Sequence, residues 1–354
     1  MNRFLISSMM LIMVGSSSLK SESSLQKSTS PEILPLVVLG SGPAGLTAAQ
    51  YGVHLGVPTT LISGPLRGGL LTQTHAIEDY PGVPKMSGLD FMDKMIEQTI
   101  ERGVSIIEDT VVSVDLSSWP FTIGLESGAL YRVLSLIIAT GATPKKLEIP
   151  GEQTYWGRGV SSCAICDAHF FKGKDVVVVG GGDSAVEEAL ILAPHAKSVT
   201  ILVRSHRMRA APLMMKQLAG YPTIKPIHYT TRVTRVCGNE EDVTHLEALN
   251  LLTEETFTIK TDGLFLAIGH IPTTDLFAGQ LALADNGHII VDERTQATSV
   301  AGVFAAGDVE DAVFRQAIVA AGRGCKAAIK AVEWLREEGI SDRALAQMRA
   351  PKKE

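Results

Sequence analysis

The sequence predicts an α/β protein with two Rossmann-like units, and three observations lead to this prediction. A short apolar run, a glycine-rich hexapeptide and a helix-like segment follow one another over residues 36–56. The same arrangement begins again at residue 175. Each copy is followed by a second strand-like run, Pro58–Ser63 in the first and Ser198–Arg204 in the second. A strand, a tight turn, a helix and a further strand make a βαβ unit, so the chain holds two of them.

Length and composition agree with two folded domains. The chain has 354 residues, and one domain usually takes ~150. Lys plus Arg number 32 against 38 Asp plus Glu, a net charge of −6, so no basic excess is left to bind a phosphate backbone and we expect no nucleic-acid partner. The 33 glycines exceed the usual ~7%. Glycine concentrates where the backbone turns tightly or approaches a ligand.

Residues 1–33 differ from the rest and are predicted to be an N-terminal extension. An apolar run over Phe4–Val14 is followed by a serine-rich stretch. The run is far shorter than the ~20 residues of a membrane-spanning helix, so we expect no stable membrane association. A secretory signal, an organelle transit peptide, a disordered extension and a misplaced start remain open.

The first glycine turn predicts a dinucleotide site. Its six residues are Gly40, Ser41, Gly42, Pro43, Ala44 and Gly45. In this pattern the first glycine permits the turn, the second admits a pyrophosphate to the backbone, and the third lets the helix pack closely. The N-terminus of the helix attracts the negative charge. An acidic residue at the end of the following strand would bind the ribose of the dinucleotide. No acidic residue stands there, so the sequence does not predict which residue contacts the ribose.

The second glycine turn, Gly180-Gly181-Gly182-Asp183-Ser184, points to a different nucleotide. Arg204, Arg207 and Arg209 follow its second strand, where an arginine accommodates the 2′-phosphate of NADP. A solvated basic loop is the alternative. Two nucleotide sites of different specificity indicate one tightly held and one exchanging cofactor, such as a flavin and NADPH, and therefore hydride transfer.

Cys163 and Cys166 form a C-x-x-C pair between the two turns. We predict a redox-active disulfide, because such a pair shifts the thiol pKa and exchanges readily. A structural disulfide stays possible. Zinc needs four ligands, and Cys237 and Cys325 stand alone in the sequence, so no metal site is expected. Asp167 is the candidate proton carrier, with a plain surface aspartate as the alternative and His169 as the rival acid.

These features, with several further motifs, resemble the low-molecular-weight thioredoxin reductases from about Leu34 to Leu335. The motifs are GSGPAG at 40–45, GGLLTQT at 68–74, EDYPG at 78–82, ATGA at 139–142, CAICD at 163–167, GGGDSAVEEA at 180–189, AIGH at 267–270, and AGDV at 306–309 leading to FRQA at 314–317. The resemblance implies an FAD domain in two pieces, 34–145 and 275–340, with the NADPH domain at 146–274 inserted between them. Residues 341–354 form a C-terminal tail.

The resemblance also implies which residues bind each cofactor. For FAD they are the first turn, Gly40–Gly45, together with Ser63, Gly64, Gly68, Gly69, Leu70, Thr140, Gly141, Gly307, Asp308, Arg315, Gln316 and Ala317. For NADPH they are Gly180, Gly182, Asp183, Ser184, Arg204, Arg207, Arg209, Ile268 and Gly269. The catalytic set is Cys163, Cys166 and Asp167, with Cys166 facing the flavin and Cys163 attacking the partner disulfide.

The implied activity is NADPH-dependent reduction of thioredoxin, with electrons passing through FAD to the Cys163–Cys166 disulfide. One domain would rotate against the other about linkers near 145–148 and 272–275. The resemblance further implies a cytoplasmic homodimer, with export or organelle targeting left open by the N-terminal segment. The alternative function is a related flavin-dependent dithiol oxidase, or a reductase with another electron donor or acceptor.

Four positions depart from the family pattern. Val203-Arg204-Ser205 stands where the family usually has His-Arg-Arg at the 2′-phosphate site, so the resemblance implies a preference for NADPH over NADH less firmly than it implies flavin binding. Arg207 is the candidate substitute. Leu70 stands where glutamine is common, and Ala168 where glycine is common.

Overall fold

The computed structural model describes residues 31–348 with the exception of His75. The hypotheses about export and organelle targeting concern residues that lie outside this range, except for the last three of the predicted 33-residue extension. The described chain from Glu32 onward forms one compact unit.

Strands and helices alternate over residues 32–107 and again over 160–238, and runs of successive strands fill residues 105–161 and 231–272. The strands, in chain order, are β1 (Glu32–Leu39), β2 (Thr59–Ile62), β3 (Ser105–Ile107), β4 (Val111–Asp115), β5 (Phe121–Leu125), β6 (Leu130–Ile138), β7 (Ala142–Pro144), β8 (Val160–Ser161), β9 (Asp175–Val179), β10 (Ser198–Leu202), β11 (Thr231–Gly238), β12 (Val243–Asn250), β13 (Thr256–Lys260), β14 (Gly263–Leu266), β15 (His270–Pro272) and β16 (Val303–Ala305). The helices are α1 (Pro43–His54), α2 (Gly88–Glu101), α3 (Ala164–Asp167), α4 (Asp183–Leu192), α5 (Pro212–Leu218), α6 (Ala317–Glu337) and α7 (Asp342–Gln347). Short 3-10 helices cover Leu70–Gln73, Ala168–Phe171 and Asp275–Phe277.

The first sheet has the strand order β3-β2-β1-β6-β5-β4, and β16 also pairs with β6. The pairs β1–β2, β1–β6, β2–β3 and β6–β16 are parallel, whereas β4 and β5 add an antiparallel extension. Because β16 lies so late in the sequence, the chain returns to this sheet after building the second one. This is the topology expected of a domain interrupted by another.

The second sheet is wholly parallel, with the order β10-β9-β14-β8. It is built from residues between the two contributions to the first sheet. A separate antiparallel sheet, β11-β12-β13, lies in the same stretch of chain. The α/β class with two parallel sheets, the second inserted into the first, is therefore confirmed.

The two segments that connect the first sheet with the second pair with each other. Strand β7 leaves the first sheet region and β15 returns to it, and they form a two-stranded antiparallel ribbon with Thr143 opposite Ile271. The predicted linkers at 145–148 and 272–275 lie beside this ribbon.

Apolar side chains cover both faces of the first sheet. One cluster joins the sheet to α1, α2 and α6, and the other lies under β4, β5 and the segment from Phe277 to Val309. Helices α1 and α6 pack very closely, because a Cβ at Gly324 would lie only 2.1 Å from the Ala44 carbonyl oxygen. This contact ties the first glycine turn to the C-terminal part of the chain.

Both ends of the described chain extend beyond the predicted domain limits. Strand β1 begins at Glu32, two residues before the predicted start at 34, because Glu32 and Ile33 pair with Tyr131 and Arg132 of β6. Helix α7 falls in the predicted tail, and its Leu345 is fully buried against the first core cluster. Within residues 31–348 apart from His75, no helix has both the length and the apolar character required to span a bilayer.

Candidate functional site

A cavity of about 900 Å³ lies between elements of both parallel-sheet regions. Its wall includes the first glycine turn, the C-x-x-C pair, and the segment that precedes helix α6. A volume of this size is typical of a site that holds a cofactor or another small molecule. Three stretches that are far apart in the sequence therefore meet at one cavity.

The first glycine turn adopts the backbone conformation that its sequence predicts. Gly40 has φ +105°, and a Cβ there would lie 2.2 Å from the Ala139 carbonyl oxygen. A Cβ at Gly45 would lie 1.9 Å from the Gly40 carbonyl oxygen, so α1 can follow the turn this closely only with glycine. At Gly42 a Cβ would meet nothing within 4 Å. Gly42 lies in the cavity wall, so this open space faces the cavity.

The hydroxyl of Ser41 holds the neighbouring wall in place. It donates a hydrogen bond to the Ser63 carbonyl oxygen at 2.9 Å and accepts one from the Gly68 amide at 2.9 Å. Ser63, Gly64 and Gly69 line the cavity, whereas Gly68 does not. The predicted residue Gly68 thus supports the wall from behind.

The opposite wall is shaped by a buried carboxylate that the sequence reasoning missed. One oxygen of Asp311 accepts hydrogen bonds from the amides of Val313 and Phe314, both at 2.9 Å, and the other accepts from the Arg315 amide at 3.2 Å. Asp311 is 3% exposed. These bonds hold Arg315 at the unusual φ of +50°, with its guanidinium donating to Nδ1 of His270.

Two titratable groups in this wall are perturbed by burial. Burial raises the pKa of Asp308 to about 6, and the nearby Asp311 carboxyl adds to the effect, while Arg315 and Arg323 oppose it. Burial lowers the pKa of His270 to about 4, and the positive charge of Arg315 acts in the same direction. His270 is therefore neutral at pH 7, as an acceptor from Arg315 must be.

Cys163 and Cys166 form a disulfide with a Cα–Cα distance of 5.4 Å. Both cysteines and the half-buried Asp167 line the cavity. The Cys166 amide donates to the Sγ atom of Cys163 at 3.2 Å. The predicted redox pair thus lines the same cavity as the first glycine turn.

Two acceptors that the sequence reasoning missed hold the redox pair. The hydroxyl oxygen of Ser161 accepts from the Cys163 amide at 3.0 Å, and Oε2 of Glu188 accepts from the Ala164 amide at 2.6 Å. The signal for Glu188 was its spacing. It lies four residues after Ser184 on α4, so the two side chains share a helix face, and both line the cavity.

The second glycine turn lies largely outside the cavity. A loop folds over it, since the Arg209 amide donates to the Gly181 carbonyl oxygen at 2.6 Å and the Ala211 amide donates to the Asp183 carboxylate at 2.7 Å. The Ser205 hydroxyl donates to the Arg207 carbonyl oxygen at 2.6 Å. All three arginines of this loop, Arg204, Arg207 and Arg209, are exposed to solvent.

The structure thus divides the residues predicted from the sequence into two groups. The cavity wall contains the catalytic set and, from the predicted FAD set, Gly40, Ser41, Gly42, Pro43, Ala44, Ser63, Gly64, Gly69, Leu70, Thr140, Gly141, Gly307, Asp308, Arg315, Gln316 and Ala317. Of the predicted NADPH set only Ser184 lies in this wall, and Gly180, Gly182, Asp183, Arg204, Arg207, Arg209, Ile268 and Gly269 lie outside it.

The cavity fits a flavin dinucleotide. Gly42 leaves a Cβ-sized space at the N-terminus of α1, where no acidic residue of the first turn repels an anion, and backbone amides at such a position bind pyrophosphate. Asp308, with a carboxyl group able to bind a hydroxyl, and the positively charged Arg315 line the same cavity as the disulfide.

The family model described as pyridine nucleotide-disulphide oxidoreductase matches residues 34–324. The chain is 45% identical over 303 residues to the thioredoxin reductase of Rickettsia typhi, which covers 85% of this chain and 97% of the relative.

Two solved structures of similar sequence identity differ in how well they superpose. The thioredoxin reductase from Giardia duodenalis is 38% identical, covers 86% of this chain and 99% of its own, and has a TM-score of 0.82. The thioredoxin reductase of Lactococcus lactis, described as in the FR conformation, is 34% identical with the same coverages and a TM-score of 0.57. The extent of the match is equal, so the second structure differs in the arrangement of matched parts.

Proposed function

The chain belongs to the pyridine nucleotide-disulphide oxidoreductase family, and we propose that it is a thioredoxin reductase that uses NADPH and FAD. The observation that carries this proposal is the disulfide of Cys163 and Cys166 in the wall of the cavity that the first glycine turn also lines. The net reaction consumes NADPH, one proton and the disulfide of thioredoxin, and yields NADP⁺ and the dithiol.

FAD, when bound, supplies the two-electron chemistry that links hydride from NADPH to the disulfide. We assign it to the wall that contains Gly42, Thr140, Gly141, Asp308 and Arg315, with the other predicted FAD residues around them. Arg315, fixed by Asp311, places a positive charge where negative charge develops.

Cys163 is assigned to attack the partner disulfide, and Cys166 to exchange electrons with the flavin. The Cys166 amide donates to Cys163 Sγ at 3.2 Å in the disulfide, so the same N–H is placed to stabilise negative charge on this sulfur once the disulfide is opened. Asp167, next to the pair in the cavity wall, is assigned to pass protons between the thiols and solvent.

NADPH is assigned to the second glycine turn. Gly182 leaves an open space like that at Gly42, and the exposed Arg204, Arg207 and Arg209 offer positive charge to a 2′-phosphate. The hydrogen bond from Ser205 to the Arg207 carbonyl oxygen shapes the loop so that Arg207 takes the place of the arginine that Ser205 replaces.

The two nucleotide sites require a rearrangement between half-reactions. The disulfide lies in the cavity wall, while nearly all of the predicted NADPH residues lie outside it, so NADPH bound at the second turn is kept away from the cavity. The unequal TM-scores of the two solved thioredoxin reductases support a rigid rotation. We place the hinge at the β7–β15 ribbon and its flanking linkers.

The test is an absorbance spectrum of the purified protein, followed by anaerobic addition of NADPH and then oxidised thioredoxin. We expect a flavin spectrum that bleaches with NADPH and recovers with thioredoxin, and a mass in light scattering of twice the chain. Preference for NADH, or recovery with oxygen but not thioredoxin, would favour the alternative donor or the dithiol oxidase.

The variant Cys163→Ser keeps its flavin and its bleaching by NADPH, because neither depends on the attacking thiol. Its thioredoxin reduction falls by at least about a thousandfold, since the covalent route to the partner disulfide is lost. Cys237→Ser, which changes a lone cysteine on β11, is the matched control and retains wild-type turnover. Wild-type thioredoxin reduction by Cys163→Ser would exclude the proposed function.

A further inference from the structure

Helix α4 turns a polar face towards the cavity. Ser184, Glu187, Glu188 and Ile191 line the wall, and their spacing of three and four residues places them on one side of the helix. Glu188 is the member of this face that contacts the redox segment. It is only partly exposed, and that exposure is to the cavity.

Glu188 binds the peptide group next to the attacking cysteine. Its Oε2 atom accepts from the Ala164 amide at 2.6 Å, a short distance typical of a bond to an ionised carboxylate. The Cys163 amide is held in turn by the Ser161 hydroxyl at 3.0 Å. The backbone on both sides of the Cys163 peptide unit is therefore anchored by side chains of the same domain.

Burial and nearby charges shift the pKa of Glu188. The pKa of Glu188 is raised to about 7, mainly by burial and to a smaller extent by the carboxylates of Asp167 and Glu187. The hydrogen bond from the Ala164 amide and the positive charge of Arg315 act in the opposite direction. Glu188 thus changes charge within the working range of pH, immediately beside Cys163.

We propose that Glu188 is a positioning residue for the redox pair, which holds the backbone beside Cys163 through the Ala164 amide and sets the charge that the Cys163 sulfur meets when the disulfide is opened. A role of Glu188 in turnover rests on the proposed function. The coupling between the Glu188 carboxyl group and the Cys163 thiol does not depend on which electron donor the enzyme uses.

The coupling follows from Coulomb's law. An ionised Glu188 disfavours a neighbouring thiolate, and a thiolate on Cys163 favours the protonated form of Glu188, so the two groups titrate together. Opening the disulfide breaks the S–S bond and takes two electrons and two protons to form two thiols. The hydride from the electron donor carries both electrons and one of these protons, and the other proton comes from solvent. While Cys163 is a thiolate, its negative charge favours the protonated form of Glu188, and Asp167 remains the group assigned to pass the solvent proton.

The experiment measures the alkylation rate of Cys163 with iodoacetamide from pH 5 to pH 9. The holoprotein is reduced with dithiothreitol, the reductant is removed anaerobically, and peptide mapping resolves the individual cysteines. The wild-type profile is expected to show two inflections, one from the thiol and one near the titration of Glu188. Glu188→Gln keeps an acceptor for the Ala164 amide but loses the charge. Its profile becomes a single step with a midpoint lower by roughly one pH unit.

Glu188→Asp and Glu97→Gln are the control variants. The aspartate keeps the charge and should restore the two-step profile, which a merely structural role would not. Glu97 lies on the exposed face of α2, and its glutamine variant should match the wild type. A wild-type profile with a single inflection, or a Glu188→Gln midpoint equal to that of the wild type, overturns the inference. Neither NADPH nor thioredoxin enters this measurement, so a failure of the proposed function is seen separately, as absent turnover.

Discussion

The two glycine turns have nearly the same backbone but different surroundings. Gly42 and Gly182 both precede the first residue of a helix in extended conformation, with φ −71° and ψ −179° at Gly42 and φ −105° and ψ −174° at Gly182. At both positions a Cβ would meet nothing within 4 Å. Gly42 opens into the large cavity, whereas Gly182 lies outside it under the exposed 204–211 loop.

If FAD binds at the first turn and NADPH at the second, as proposed, this difference explains how one local motif serves two cofactors of different exchange rates. The turn provides backbone amides and space for a pyrophosphate in either case. An enclosed wall around the ligand slows its release, whereas an exposed arginine loop lets the ligand come and go. The surroundings, and not the turn, therefore separate the tightly held cofactor from the exchanging one.

The largest effect is expected from filling the space at Gly42. In Gly42→Val the extended backbone accepts the new side chain, which then occupies the pyrophosphate space, so the protein folds with at least about tenfold less flavin and a matching loss of turnover. The flavin-to-protein absorbance ratio measures this.

Gly182→Val is the matched substitution in the second turn. It should keep the flavin and raise the KM for NADPH by at least about tenfold, a change of ~1.4 kcal/mol in binding. Equal flavin loss in both variants would show that the two turns do not differ in the way their surroundings predict.

A smaller effect is expected from the arginine loop. Arg207→Ala should raise the KM for NADPH about tenfold with kcat and the KM for NADH unchanged, because a charged hydrogen bond to the 2′-phosphate contributes ~1.5–3 kcal/mol. Arg235→Ala, on exposed β11, is the control. An equal rise for NADH would mean that Arg207 does not bind the phosphate that distinguishes the two nucleotides.

The smallest effect concerns a contact between Glu78, in the first part of the predicted FAD domain, and His169, in the predicted NADPH domain. Glu78 lies 3.2 Å from Nε2 of His169, just after the redox pair, and also binds Lys85, whose hydrogen bond lowers the pKa of Glu78. In the proposed rotation of the domains this contact breaks. Because exposed pairs contribute little to stability, Glu78→Gln should raise kcat by no more than about fivefold.

Salt separates this contribution from other effects of the substitution. At 1 M salt, where the screening length is ~3 Å, Glu78→Gln and the wild type should have equal kcat. Glu333→Gln, which breaks a pair within helix α6, is the control and should leave kcat unchanged. A lower kcat for Glu78→Gln, or a ratio that salt does not change, contradicts this role.

Several parts of the molecule were not predicted from sequence patterns. The antiparallel sheet β11–β13 was missed although its strand β13 (Thr256–Lys260) alternates polar and apolar residues strictly, which is the signal of a half-buried strand. Asp311 and Ser161 look like ordinary polar residues in the sequence. Their roles depend on which amides the folded chain brings to them, and spacing along the chain does not report such contacts.

The sequence by itself determined the local chemistry. Glycines at 40 and 45 specify a turn that no other residue fits, apolar runs specify β1 and β9, and the C-x-x-C spacing allows the Cys163–Cys166 disulfide. The tertiary structure alone decided that this disulfide shares a cavity with the first turn and, from the second turn, only with Ser184, and that Glu188 lies beside it with a raised pKa. The reason is physical: backbone conformation depends on neighbouring residues, whereas burial, charge and cavity walls depend on residues brought together from distant parts of the chain.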